Sequence, residues 1–173
     1  MKETDLAGVR ARKILEEHIG GSSSFYTCWD SCDDPEGLLY LAKAGGATHK
    51  QVVFALCAVV RLCLPRLEST SASKAIETIE TTEAWCRGGA TKKQVTAAKR
   101  ALQDDWEYYE STYTAVIEVC EVHKTNYYYY QIYHTLQADI EVGIVCSTIR
   151  KHLVFERPKM LTFWQRLAEG CRG

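Results

Sequence analysis

The stretch Thr48-His49-Lys50-Gln51-Val52-Val53-Phe54-Ala55-Leu56-Cys57-Ala58-Val59-Val60-Arg61-Leu62-Cys63-Leu64-Pro65 decides the fold. Thr48 and Gln51 have capping-box spacing. The threonine side chain can accept from the backbone N–H of Gln51, whose own side chain reaches back. From Val52 to Val60 every side chain is apolar, and Arg61 is the first charge. A helix that is apolar nearly all round is covered on most sides by neighbours. The run is too short to span a bilayer, which takes about 20 residues. The stretch therefore reads as a central buried helix, capped at Thr48 and ended by Pro65, on which the rest of the chain packs.

Working outward, the same helical grammar recurs. Asp34 is a good N-cap, and Pro35 suits the first helical position because its missing N–H has no partner to lose there. The helix that follows carries Leu38, Leu39, Leu41 and Ala42 and stops at Gly45-Gly46. After Pro65, Ser71 or Ser73 opens a helix to about Arg87, with Ala72, Ala75, Ile76, Ile79 and Cys86 on one face. Gly88-Gly89 ends it, and Thr91-Lys92-Lys93-Gln94 repeats the capping-box pattern. Val95, Ala98, Leu102, Trp106, Tyr109, Tyr113, Val116, Cys120 and His123 then follow at steps of three or four. This predicts one continuous amphipathic helix of about eight turns. Its opposite face carries Asp104, Glu107, Ser111, Thr114, Glu118 and Glu121. A further helix is predicted from the Tyr127–Tyr130 run through Ile132, Leu136, Ile140, Ile144 and Ile149 to near Phe155. Helices over residues 5–19 and around Leu161, Trp164 and Leu167 complete the chain. No apolar-polar alternation marks a strand, and no repeat of fixed period is visible. The expectation is an all-α, single-domain bundle of about seven helices spanning residues 1–173.

Composition narrows the function. The 21 Lys and Arg against 22 Asp and Glu leave a net charge of −1, which provides no whole-protein field for nucleic acid or an anionic membrane. The N-terminal residues are charged rather than apolar, which argues against a secretory signal. Eight cysteines without such a signal read as free thiols in a reducing compartment, hence a cytoplasmic protein. Several fall on apolar helix faces, where cysteine packs as a small hydrophobe.

The chemistry-bearing residues form no recognisable apparatus. Cys28-x3-Cys32, Cys57-x5-Cys63 and Cys120-x2-His123 are the nearest approaches to metal spacing, and none has the second ligand pair of a zinc site. No phosphate loop or dinucleotide fingerprint occurs, so no cofactor is expected. The Lys92, Lys93, Lys99 and Arg100 group reads as a solvated face, because the opposite face of its helix turns acidic within two turns. Nucleic acid is accordingly not the expected partner. Arg61 is different, because it stands inside the central apolar helix, where a buried guanidinium needs a partner unless the side chain snorkels to the surface. Glu83 is an odd carboxylate on an apolar face and Glu80 is close by, so a structural pair of Arg61 with Glu83 or Glu80 is expected. The acidic face and the tyrosines make the expected partner-binding surface: Asp104, Glu107, Tyr108, Glu118, Glu121, Tyr127, Tyr128 and Tyr130. Tyrosine supplies rigid contact area with a polar tip.

One family shares this pattern. Cys32-Asp33-Asp34-Pro35-Glu36-Gly37-Leu38-Leu39, the Val52–Leu64 run with its internal Arg61, and Ala75-Ile76-Glu77 followed by Glu80-x-x-Glu83-Ala84-Trp85-Cys86-Arg87-Gly88-Gly89-Ala90-Thr91 resemble the fifth class of immunity proteins of bacterial polymorphic toxin systems. Similar domains occur in bacteriophages. The resemblance covers residues 28–105 and fades over 106–173. It implies a mostly helical, non-enzymatic protein that inhibits a protein toxin or effector by occlusion, either as an immunity protein or as a phage-encoded anti-defence inhibitor. Partner choice would lie in the divergent C-terminal helices, and self-association is open. A Cys/His metal or thiol enzyme and a nucleic-acid-binding helical module are the alternatives.

Overall fold

The computed structural model describes residues 25–67, 69–104, 111–121 and 128–154. Among them the chain forms eight α-helices and no strand: α1 Phe25–Ser31, α2 Pro35–Ala44, α3 His49–Arg61, α4 Ser69–Cys86, α5 Lys92–Asp104, α6 Ser111–Val119, α7 Tyr128–Gln137 and α8 Val142–His152, with a 3-10 turn at Leu64–Arg66. The protein is all-α. The predicted helices over residues 5–19 and around Trp164 lie outside the described residues.

Local chemistry places the boundaries. Asp34 accepts from the N–H groups of Glu36 and Gly37, and Pro35 stands at the start of α2. Thr48 accepts from Gln51 N–H while Gln51 Oε1 accepts from Thr48 N–H at 2.7 Å, a complete capping box. Thr91 and Gln94 make the same reciprocal pair at the start of α5. The preceding turns are of the same kind but set one residue apart, with the second glycine left-handed in the first joint and the first glycine in the second. Ala47 N–H bonds Ala42 C=O and Gly46 N–H bonds Lys43 C=O; Gly89 N–H bonds Ala84 C=O and Gly88 N–H bonds Trp85 C=O. Both are Schellman endings, with Gly46 at φ 96° and Gly88 at φ 85° in the left-handed region that favours glycine. One short sequence builds both joints. Gly45-Gly46-Ala47-Thr48-His49-Lys50-Gln51-Val52 and Gly88-Gly89-Ala90-Thr91-Lys92-Lys93-Gln94-Val95 differ only at His49 and Lys92. Val52 and Val95, which close the two copies, are both fully buried.

Helix α3 is the centre. Val52, Val53, Ala55, Leu56, Cys57, Val59 and Val60 are buried around its circumference, enclosed by α4, α6, α7 and α8. Helix α2 covers α7 and α8. Helix α1, which no periodic signal announced, buries Cys28 and Trp29. Its C-terminal carbonyls are taken up by α8: Arg150 Nε donates to Trp29 O at 3.0 Å and Arg150 Nη2 donates to Cys32 O.

Two long helices expected from periodicity are each interrupted. The Lys99 ammonium bonds the Glu121 carboxylate, whereas 22 residues of straight helix would separate them by about 33 Å. The chain therefore reverses between α5 and α6. The second run breaks at residues 138–141, where Asp139 takes φ 51°, a conformation Asp tolerates better than most residues. Arg66 Nη2 donates to Asp139 O at 3.2 Å and pins that turn to the 3-10 segment.

The joint geometry makes a paired prediction. Gly88→Ala forces a side chain into positive φ and should cost about 1–2 kcal/mol. Gly89→Ala meets only ordinary contacts, 3.5 Å from Ala84 O, and should stay within about 0.5 kcal/mol. Urea denaturation of the two variants measures the difference.

Candidate functional site

Arg61 and Glu83 meet as a bidentate pair: Nε donates to Oε1 at 2.9 Å and Nη2 donates to Oε2 at 3.1 Å. Two parallel charge-assisted bonds fix geometry as well as charge. The hydrogen bond to Glu83 raises the guanidinium pKa beyond its already high ordinary value, against the opposing effect of burial. Glu80 is exposed and acts on Arg61 only through its field. The pair ties the end of α3 to the last turns of α4, at the rim of the core. Lys50 lies 5.0 Å over the Trp85 ring, and Arg87 lies 5.4 Å over the Phe54 ring along the same contact. His49 meets Trp85 edge to face.

Behind this rim, Cys57 of α3, Cys86 of α4 and Cys120 after α6 lie within electrostatic reach of one another. Burial pushes Cys86 and Cys120 up to about 12 and raises Cys57 as well. Thr82 gives its one hydroxyl proton to Thr78 O at 2.9 Å. Cys120, whose sulfur is 3.2 Å from Thr82 Oγ1, is then the donor in that contact. These groups stay protonated at neutral pH, and a thiol is neither the nucleophile nor the metal ligand that a thiolate is. The seven described cysteines are all free. Among the described residues no group of three His, Cys, Asp or Glu is placed to hold an ion. His123, the expected companion of Cys120, lies outside them.

The expected acidic surface is not assembled as the periodicity implied. Asp104 is exposed. Glu121 is engaged by Lys99, with both side chains less than a fifth exposed, and Glu118 is half-buried. The reason is α6 itself. Thr112, Ala115, Val116, Ile117 and Val119 are buried, so α6 has no broad solvent face to carry carboxylates. Glu107, Tyr108 and Tyr127 lie outside the described residues. Of Tyr128 and Tyr130 only the backbone, in the first turn of α7, is described.

Exposed apolar side chains concentrate elsewhere. The large hydrophobic residues found exposed are Tyr26, Tyr133, Val142, Ile144 and Val154. All but Tyr26 fall within α7, α8 and the residues after α8. At the start of α8, Glu141, Val142, Gly143 and Ile144 are all exposed. A Cβ built on Gly143 would meet nothing within 4 Å, so this turn is open to solvent. Periodicity concealed it, because Ile144 keeps the four-residue step of Ile132, Leu136 and Ile140 across a break that turns it outward. No protein-family model, curated protein or solved structure matches the chain.

Two predictions follow from this rim and its thiols. Arg61→Glu and Glu83→Arg should each destabilise the fold, and the double exchange should recover part of the loss, with a coupling of about 1 kcal/mol for a pair this exposed. Denaturant unfolding of the four proteins measures it, and a coupling near zero would show that the pair adds nothing. The thiols fix the sign of an alkaline effect. An unfolded cysteine ionises near 9.0, whereas folded Cys86 and Cys120 hold their protons to about 12. Between those values the unfolded chain binds fewer protons, so stability should fall as pH rises from 9 towards 12. Iodoacetamide at pH 8 should label Cys86 and Cys120 slowly in native protein and rapidly in urea, which peptide mass mapping resolves.

Proposed function

We propose that this protein is a non-enzymatic binding protein that inhibits a protein toxin or effector by covering its active or substrate-binding face. The observation that carries the reading is the open apolar turn Val142-Gly143-Ile144 at the start of α8. Apolar side chains left outside a well-filled core mark contact surfaces when they gather. Bulky anchors that a partner can desolvate supply most of the binding energy of an interface. This apolar set lies in the C-terminal region, beyond residues 28–105, where the resemblance to the immunity proteins has faded. A shared scaffold with a divergent contact surface suits inhibitors that each meet a different partner.

The exposed Asp104 at the end of α5 remains a candidate contributor to partner binding. Charge there would act on the encounter rate more than on the lifetime of the complex. Glu121, held by Lys99, is better assigned to the scaffold.

The test is co-expression in a bacterial host with toxin and effector domains encoded beside the chain in its source genome. Growth should be restored against one of them. Val142→Asp/Ile144→Asp should abolish that rescue while circular dichroism shows the helices kept, since both side chains are outside the core. Rescue that survives the double substitution would remove α8 from the contact surface. Failure to rescue against any neighbouring toxin or effector would remove the inhibitor reading.

A further inference from the structure

We infer that the joint between α4 and α5, with the outer stripe of α5, is a separate binding surface that takes the phosphodiester backbone of a nucleic acid. Residues 84–103 contain Arg87, Lys92, Lys93, Lys99 and Arg100 and no carboxylate. The structure divides these cations by direction. Val95 and Leu102 are buried and define the inward side of α5. At 100° per residue, Thr96, Arg100 and Lys93 lie roughly 100–160° from Val95 and Lys92 and Gln103 roughly 60–80° from it on the same flank, and all five are exposed. Only Lys99 faces the protein, where Glu121 engages it. The stripe rises about 16 Å from Lys92 to Gln103.

The repeated joint enlarges the surface. Lys50 and Lys93 occupy the same position in the two copies of the octapeptide. The contact of Lys50 with Trp85 brings the first joint beside the second. Lys50 and Arg87 rest on aromatic rings, which hold a cation in place without neutralising it. Among the described residues, none of Lys50, Arg87, Lys92, Lys93 and Arg100 has a carboxylate partner. Of the nearby acids, Glu83 is committed to Arg61 and Glu121 to Lys99, Asp104 sits at the far end of α5, and Glu77 and Glu80 are exposed on α4.

Folding does not account for these charges. Lys92 and Lys93 stand in the first turn of α5, where the helix dipole favours acids. The capping box already satisfies that end of the helix, so the surface offers side-chain charge rather than free backbone N–H groups. The residues between the cations decide the class of partner. Thr96 and Gln103 are hydrogen-bonding side chains, and no large apolar side chain is exposed along the stripe. Protein interfaces are depleted in lysine and enriched in aromatic anchors, whereas phosphate contacts are made by Lys and Arg with Ser, Thr, Asn and Gln. Such a surface tracks a backbone and reads no sequence.

The experiment is fluorescence anisotropy of the full chain with labelled 20-mers in separate arms: duplex DNA, duplex RNA and single-stranded RNA. Binding should appear at low salt and weaken with a log–log slope of about −3 to −4, the value for roughly four phosphates. Lys92→Glu/Lys93→Glu/Arg100→Glu should weaken it at least about tenfold and flatten the slope. Acids at Lys92 and Lys93 suit a helix start, so the fold should survive; if the triple variant melts early, Lys93→Gln/Arg100→Gln makes the same test. Lys151→Glu on α8 and Val142→Asp/Ile144→Asp should leave binding intact, which separates this surface from the inhibitor surface. The arm that binds most tightly names the nucleic acid. No binding at the lowest salt, unchanged binding by the stripe variants, or equal competition by polyglutamate at matched charge would overturn the proposal, the last in favour of an acidic protein.

Discussion

Everything in the described structure depends on enclosing α3. A helix with buried side chains around its circumference cannot sit at a surface, so other helices must surround it. Val52, Val53, Leu56, Val59 and Val60 are fully shielded by four neighbouring helices. At about 25 cal/mol per Å² of apolar area removed from water, each such side chain contributes roughly 1.5–3 kcal/mol. This burial dominates the fold. It also determines where charge is tolerated. Arg61 stands where the apolar run ends, and its guanidinium is matched by a carboxylate from α4 in both hydrogen bonds rather than left to a dry interior. The cysteines follow the same rule. They pack as small hydrophobes, and the burial that makes them useful in the core suppresses their ionisation.

The ends of the helices rest on a different and more local device. A Schellman ending followed by a threonine capping box satisfies carbonyls at one helix end and N–H groups at the next within a few residues. The chain uses this device twice with nearly the same eight residues, and each copy delivers a buried valine to the core. The second copy carries lysine where the first has histidine. That histidine lies edge-on to Trp85, beside the end of α4. The joint is therefore a reusable structural part whose solvent-facing positions, notably Lys50, Lys92 and Lys93, are free to vary in role without disturbing the turn.

How much of this was legible depended on whether the signal was local. The Asp34-Pro35 start, both threonine boxes, both double-glycine endings and the central apolar helix were readable because each is decided by residues within one or two turns. The pairing of Arg61 was readable because an arginine and a glutamate each stood out of place on an apolar pattern. What escaped was continuity. Periodic apolar residues run from Val95 to His123 and again from Ile132 to Ile149, and periodicity records which residues face inward on a helix, not whether one helix or two carries them. The reversal shown by Lys99 and Glu121 and the turn at Asp139 left the spacing intact. Because α6 is enclosed rather than amphipathic, the carboxylates assigned to its outer face had no outer face to occupy. That single error withdrew Glu118 and Glu121 from the expected partner surface. It also concealed the open turn at Val142, since Ile144 had been counted towards the core.

The near-neutral composition hides a segregation that bears on both proposed surfaces. A net charge of −1 gives no general attraction to anything anionic, so any anion binding must come from a local arrangement. The arrangement exists because residues 84–103 contain no carboxylate and two neighbouring acids, Glu83 and Glu121, are withdrawn into pairs with Arg61 and Lys99. Those pairs do structural work at the rim of the core and, by the same contacts, take two negative charges away from the exposed lysines. At 0.15 M salt that field extends about 8 Å. It therefore acts on what touches α5 and fades before it can influence more distant parts of the fold. An apolar turn on α8 and a cationic stripe on α5 can thus serve different partners on one small scaffold. Hydrophobic contact requires direct desolvation and screened charge reaches only a short way, so the two surfaces bear on one another chiefly where Gln51, beside Lys50, donates to Val154 O at 2.8 Å.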